Sequence, residues 1–196
     1  MNTYVFSELI IKGISPTTMD KIIDEILKIT LPIKDDYPDY KNWFLNTHIP
    51  GIGLDRDIIF TVYKNDIVGI ANVKISEKKI CTLYIKPGFR SNKIGTELVK
   101  YCMDYLDTSK PLITISSNKI HLFNKIIKKN NWEYSESLSN YYTSGSDEYV
   151  FNGSLYLPKK EEEKKLIITP KNNYFHITLS YPNKIFSFIK FILRKN

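Results

Sequence analysis

The most informative stretch of the sequence is a basic segment that contains a glycine, Arg90-Ser-Asn-Lys-Ile-Gly-Thr96, between a strand-like run and a helix-like run. Free backbone N–H groups at the start of a helix, together with the positive end of the helix dipole, attract anions. Gly95 lets a ligand approach the backbone without a side chain in the way, and Arg90 and Lys93 add positive charge. This pattern is typical of a site for phosphate or pyrophosphate.

The elements around this segment predict an α+β fold. Ser15 followed by Pro16 predicts a helix start, and Asn118 is predicted to cap a later helix. Period-2 and period-3.6 patterns predict strands over 3–11, 58–63, 67–75, 80–86, 111–116, 132–142 and 148–152, and helices over 16–29, 40–46, 95–106 and 118–129. The three central strands are joined by short turns, so they are expected to form an antiparallel meander.

The pattern changes after residue 154, which predicts two parts. Nine Lys or Arg against three Glu follow this position, so the extension carries +6 of the net charge of +7. We expect a catalytic body over 1–154 and a basic extension over 155–196, made of a charged linker, strand-like segments and a short apolar helix over 185–193. A basic extension can contact nucleic acid or another anionic surface, although a solvated charged face explains it equally simply.

Composition excludes several classes of protein. Cys81 and Cys102 each lie among apolar residues and are expected to be buried free thiols rather than a disulfide framework. Three scattered histidines give no metal-ligand spacing, so no metal is expected. No run of about 18 apolar residues predicts a transmembrane helix, and the N-terminus has no leader pattern. We therefore expect a cytoplasmic protein.

The segment that ends in Thr96 also resembles a known motif. The sequence Ile85-Lys-Pro-Gly-Phe-Arg90 followed by Gly95 resembles the acetyl-CoA motif of the GNAT superfamily, in which Arg/Gln-x-x-Gly-x-Gly/Ala follows the fourth strand. Lys93 stands where the family has its first glycine, so we expect the loop to keep its shape if residue 93 has a negative φ. The order of elements over about 3–152 resembles the same family, whose fold is a mixed, mostly antiparallel sheet flanked by helices.

The resemblance implies an acyl-CoA-dependent N-acetyltransferase. Acetyl-CoA would be the donor, and a primary amine would attack the thioester directly, with no metal and no covalent enzyme intermediate. Backbone groups of the fourth strand would bind the pantetheine arm, the loop would bind the pyrophosphate, and a later helix would contribute a second contact. The implied cofactor-binding residues are Leu83, Ile85, Arg90, Ser91, Asn92, Lys93, Ile94, Gly95, Thr96, Asn118 and Phe123.

Catalytic residues are harder to predict from the sequence. The family often uses a Tyr as the acid, and the corresponding position here is Ile127. The remaining candidates are Thr82 on the fourth strand, Tyr142 and His121, since a histidine titrates near neutral pH. His121 on a helix surface and Tyr142 as a half-buried strand residue are equally ordinary structural roles.

Three alternatives remain open at this stage. The acceptor could be a small molecule, a peptide or, if the basic extension positions it, an aminoacyl-tRNA, as in GNAT-type toxins. The chain could instead bind CoA or a partner without turnover, which the residues at 93 and 127 would favour. A homodimer, packed through the apolar part of the extension, is also compatible with the sequence.

Overall fold

In this computed structural model, backbone and side chains are described for residues 1–155, and the backbone alone for residues 165–171, 174–181 and 184–190. The chain divides into two units, Met1–Leu155 and Tyr156–Asn196. The first unit contains β1 (Asn2–Val5), α1 (Phe6–Ile11), α2 (Pro16–Thr30), α3 (Tyr40–Trp43), β2 (Arg56–Tyr63), β3 (Asp66–Lys74), β4 (Lys79–Ile85), α4 (Ile94–Tyr105), β5 (Leu112–Ser116), α5 (Ile120–Lys129), β6 (Tyr134–Ser139) and β7 (Asp147–Phe151).

The first unit is built on one mixed sheet, which confirms the predicted fold class. Its strand order is β1-β2-β3-β4-β5-β7-β6. Every neighbouring pair is antiparallel except β4 and β5, which are parallel. Apolar clusters cover both faces of the sheet. One lies with α4 and α5 and the other with α2 and α3; their members include Leu98, Val99, Cys102 and Ile113 in the first, and Ile26, Phe44, Ile58 and Ile70 in the second.

Local sequence signals explain α2 directly. Ser15 is the N-cap, and its hydroxyl oxygen accepts a hydrogen bond from the Thr18 N–H at 3.3 Å. Pro16 occupies the first helical position, where its missing N–H costs nothing. Met19 and Ile26 are buried against the sheet. The helix predicted over 16–29 is confirmed.

The predicted first strand over 3–11 is wrong in its second half. The strand ends at Val5 and α1 follows. The reason is a tertiary contact, because the carboxylate of Asp57 on β2 accepts hydrogen bonds from the N–H (3.1 Å) and the hydroxyl of Ser7. Asp57 thus caps the start of α1 from a neighbouring strand, and it also accepts a hydrogen bond from the Tyr105 hydroxyl of α4 at 2.8 Å.

Two smaller predictions of local structure are also wrong. Asn118 does not cap α5, whose N-cap is Lys119; the Asn118 N–H instead donates to the Ser116 hydroxyl at 3.3 Å. The strand predicted over 132–142 ends at Ser139, because Asn140 takes a left-handed φ of 53° and its side chain bonds to the N–H of Gly145 at 2.6 Å. Tyr142 therefore lies in the loop between β6 and β7.

The second unit contains a three-stranded antiparallel sheet of β8 (Lys165–Lys171), β9 (Tyr174–Tyr181) and β10 (Lys184–Lys190), in the order β10-β9-β8. The apolar helix predicted over 185–193 is wrong for its described part, which is β10. Ile and Phe favour strands when a partner is present, and β10 pairs with β9 in register from Lys184↔Tyr181 to Lys190↔Phe175. The predicted charged linker lies outside the described residues, as does the end of that helix.

Candidate active site

The parallel strands β4 and β5 separate soon after they meet. They pair only at Lys79↔Leu112 and Ile80↔Ile113. Beyond these positions β4 continues along β3 as far as Ile85↔Gly69, and β5 continues along β7 as far as Ser116↔Glu148. The sheet therefore opens between β4 and β5, at the carboxyl ends of both strands.

Alternate residues of β4 direct their backbone N–H and C=O groups into this opening. The Lys86 N–H donates to the Val68 carbonyl of β3 at 2.9 Å. Because successive residues of a strand direct their backbone groups to opposite sides, Leu83 and Ile85 direct theirs away from β3 and into the opening. A register shift at Asn72/Val73 leaves Cys81 as the extra residue of a β-bulge, which bends a strand locally.

The opening is the mouth of a cleft of about 1080 Å³. We define two parts. The loop half is lined by the end of β4, the 90–96 loop and the start of α5, and contains Leu83, Ile85, Arg90, Ser91, Lys93, Gly95, Thr96, His121, Phe123 and Lys125. The aromatic half is lined from the opposite side and contains Tyr37, Trp43, Arg56, Thr114, Tyr142 and Glu148.

In the loop half the chain turns sharply into α4. Ser91 and Lys93 have left-handed φ values of 65° and 64°, and Lys93 is the N-cap of the helix. The expectation of a negative φ at residue 93 is therefore wrong. Lys93 adopts a conformation that glycine adopts more readily. The residue is exposed, and the loop keeps its turn.

The start of α4 is suited to an anion. The N–H groups of Ile94, Gly95 and Thr96 lie in the first turn, where no intrahelical carbonyl is available to them. A Cβ added to Gly95 would lie 3.5 Å from Ile85 and 3.9 Å from Ile126, which is ordinary contact. Packing inside the protein therefore does not require glycine at this position, whereas close approach of a ligand would.

Arg90 lies against β4. Its Nε donates to the Ile85 carbonyl at 3.1 Å, and its guanidinium is 5.8 Å from the ring centre of Tyr84. The side chain is exposed. With Lys93 and Lys125 it makes this half of the cleft basic.

In the aromatic half, Glu148 is a buried carboxyl group. Its side chain is on β7 and the residue is 6% exposed. Burial raises the pKa of Glu148 to about 7, and a hydrogen bond from Thr114 opposes that rise. With that pKa the carboxyl group changes its protonation state near neutral pH, which suits a general base.

Tyr142 lies beside Glu148. Both side chains are within hydrogen-bonding reach of Thr114, and the rings of Tyr142 and Tyr37 are 4.7 Å apart. Burial raises the pKa of Tyr142 above its usual value, with a contribution from the nearby charges. The phenol stays protonated and able to donate.

The cleft brings together most residues that the sequence singled out. Thr82, His121 and Tyr142 line it, and so do eight of the cofactor-binding candidates. Asn92 and Asn118 do not line it, and the Ile94 side chain is buried in the core. Ile127 packs against the core from α5. The sequence pattern did not indicate Glu148, Arg56, Tyr37 or Trp43 as site residues; the available signal was the acidic residue in the strand predicted over 148–152.

Comparisons with known proteins identify the fold. A family model described as an acetyltransferase (GNAT) domain matches residues 53–128, which run from just before β2 through α4 into α5. A "probable acetyltransferase" from Staphylococcus epidermidis has a similar structure, with a TM-score of 0.51, 15% identity, and coverage of 76% of this chain and 96% of that one. Residues 53–128 thus match the GNAT domain, and the first unit has the fold of an acetyltransferase.

Other acetyltransferase structures are less similar. An aminoglycoside 6'-N-acetyltransferase in complex with coenzyme A matches with a TM-score of 0.49, 12% identity, and coverage of 77% of this chain and 95% of that one. A protein from Bacillus anthracis assigned as a streptothricin acetyltransferase, in complex with acetyl coenzyme A, matches with a TM-score of 0.43 and 13% identity over 50% of this chain. This chain spans 62% of the length of that protein. No curated protein matches the sequence significantly.

The described residues contain no helix that is long and apolar enough to cross a membrane. Among the same residues, no group of three His, Cys, Asp or Glu side chains is placed to hold a metal ion.

Lys93→Gly tests the loop conformation. The left-handed region costs a residue with a Cβ about 1–2 kcal/mol, and the greater freedom of glycine in the unfolded chain offsets about 0.5–1 kcal/mol of the relief. We expect the free energy of unfolding to stay equal or rise by up to about 1 kcal/mol in urea denaturation. Lys100→Gly, at an exposed position within α4, is the control and should lose about 1 kcal/mol. An equal loss in both variants would contradict a left-handed Lys93.

Proposed function

We propose that this chain transfers an acetyl group from acetyl-CoA to a primary amine by direct attack. The observation that carries the proposal is the opening between β4 and β5, which ends at the N-terminus of α4. The backbone groups of β4 that face the opening can hydrogen-bond to an extended amide arm. The helix N-terminus next to them can bind a pyrophosphate. Acetyl-CoA contains both, and the family match supports this donor.

The loop half of the cleft would hold the donor. Backbone groups of Leu83 and Ile85 would hold the pantetheine arm. The amides of 91–96, with Lys93 and Arg90, would hold the pyrophosphate. The apolar side of α5, including Phe123, would pack against the arm. His121 lies in the loop half, which supports a contact with the donor rather than proton transfer.

The aromatic half supplies groups for the chemistry on the acceptor. Acetyl-CoA contributes an activated acyl carbon in a thioester. Glu148 would take a proton from the attacking amine, whose nitrogen forms the new C–N bond as the C–S bond breaks. Tyr142 would donate a proton to the departing sulfur, because Ile127, at the family's usual position for the acid, has no proton to donate. Thr82, which lines the cleft, would orient the amine and the thioester between Glu148 and Tyr142.

Two of the earlier alternatives gain no support. The tRNA acceptor and the homodimer rested on the side chains of the basic extension, which lie outside the described residues, and both stay predictions. A module without turnover is less consistent with a buried carboxyl group beside a protonated phenol in the same cleft.

Gly95→Ala tests the donor site with little effect on the stability of the fold. Wild-type protein should melt about 5–10 °C higher with acetyl-CoA at 100 times its dissociation constant, since such a ligand stabilises by about 2.7 kcal/mol. A methyl group at residue 95 fits the protein but obstructs the ligand. We expect Gly95→Ala without ligand to melt at the wild-type temperature or above, and to lose most of the shift with acetyl-CoA.

The matched control is Gly88→Ala, because a Cβ there meets no atom within 4 Å. It should keep the full shift. ATP serves as the anion control. An unchanged shift in Gly95→Ala, or an equal shift with ATP, would mean that the loop is only a basic turn.

Glu148→Gln tests the general base. Because the base must be ionised, wild-type kcat/KM with a fixed amine should rise with pH through the Glu148 pKa of about 7. The variant should lose that rise and be slower by about 10²–10⁴-fold, measured by release of free CoA. Glu133→Gln, at the surface, should keep the wild-type profile. If the rise of kcat/KM near pH 7 persists in Glu148→Gln, another group is responsible for it.

A further inference from the structure

Three basic side chains form a row across the sheet, in register on neighbouring strands. Arg56 of β2 pairs with Lys74 of β3, and Lys74 pairs with Lys79 of β4. Directly paired residues share a face of the sheet, and all three line the cleft. We call Arg56, Lys74 and Lys79 the cation row.

The cation row is electrostatically unfavourable by itself. Like charges directly opposite each other on neighbouring strands are destabilising. Lys74 forms an ion pair with Glu77. In the part of the chain whose side chains are described, neither Arg56 nor Lys79 has an ion-pair partner. Neither charge is therefore neutralised by a direct ion pair among these residues, although Lys79 lies near enough to Glu148 to oppose the rise of the Glu148 pKa.

Arg56 is also held in place. Its guanidinium lies 5.7 Å from the centre of the Trp43 ring, a cation–π contact. Its stem packs on Gly51, where an added Cβ would lie 2.9 Å from Arg56 Cδ. A half-buried guanidinium that is fixed by packing and lacks a carboxylate keeps its hydrogen-bond donors for a ligand.

The row is separate from the proposed pyrophosphate site. Lys79 begins β4 and the 90–96 loop follows its end, so the length of the strand lies between them. The row shares the aromatic half of the cleft with Glu148. Burial raises the pKa of Cys81, and the charges of Lys79 and Arg56 oppose that rise, which places both charges near the bulge where the strands separate.

We propose that the acceptor is a small amine that also carries an anionic group, a carboxylate or a phosphate, and that Arg56 and Lys79 bind this group while the amine faces Glu148. The proposal rests on the proposed acetyltransferase function and specifies its substrate class. Arg56 is the residue that determines specificity, because its planar guanidinium can bind either anion through two hydrogen bonds.

The test compares pairs of acceptors that differ only in the anionic group: tyrosine with tyramine, and phosphoethanolamine with ethanolamine. kcat/KM is measured for each with saturating acetyl-CoA. We expect the wild-type protein to prefer the anionic member of at least one pair by about tenfold or more. The pair that shows the preference tells a carboxylate from a phosphate.

Variants assign the preference to Arg56. Arg56→Met keeps the stem on Gly51 and Trp43 and should abolish the preference, with the melting shift by acetyl-CoA unchanged. Arg56→Lys should restore part of it. Lys64→Met, which removes an equal charge from the β2–β3 turn, should leave it intact.

The outcomes separate the two proposals. Equal or faster acetylation of tyramine and ethanolamine, with the acetyl-CoA shift present, would overturn the anionic acceptor and leave the acetyltransferase standing. A preference that survives in Arg56→Met would also overturn it. No acetyl-CoA shift and no transfer to any acceptor would overturn the function and this inference together.

Discussion

The cleft depends on one constraint, the separation of two parallel strands after a single short contact. β4 and β5 pair at two positions and then follow different neighbours. Unpaired backbone groups of a strand are normally covered or satisfied, so an interior strand that leaves Leu83 and Ile85 facing an opening provides partners for a ligand. The loop to α4 borders the same cleft as this opening, as do Glu148 on β7 and Tyr142 in the loop before β7.

The two halves of the cleft differ in their charged groups. The loop half is basic beside the helix N-terminus, as a phosphate site requires. The aromatic half combines a carboxyl group of raised pKa with the cation row, so it offers an amine and an anion different places to bind. Burial disfavours the charged form of Glu148 and so raises its pKa to about 7, which lets the carboxyl group be neutral or ionised near neutral pH.

The fold and the loop half were largely predictable, because local patterns determine them. Ser15 and Pro16 predict the start of α2, and the order of strand, basic loop and helix predicts the site at Gly95. Contacts between distant residues were not predictable. Asp57 of β2 ends β1 by capping α1, and a β9 partner makes β10 a strand rather than a helix. Local propensity is too weak to oppose such tertiary contacts.

The aromatic half was missed for a related reason. Glu148 differs from any surface glutamate only through its inward register on β7, and Arg56 belongs to a row that exists only when three strands are paired. The left-handed conformation of Lys93 was not predictable either, because the helix start and the turn before it impose a conformation that lysine disfavours.

The central claim is that acetyl-CoA lies between β4 and β5, and amide hydrogen exchange followed by NMR tests it most directly. With acetyl-CoA, exchange should slow at the amides of Leu83 and Ile85 and in the first turn of α4, while Tyr84, already paired with β3, changes little. Slowing confined to the 90–96 loop, with Leu83 and Ile85 unchanged, would mean that the chain binds only an anion at a basic turn, and would contradict the account.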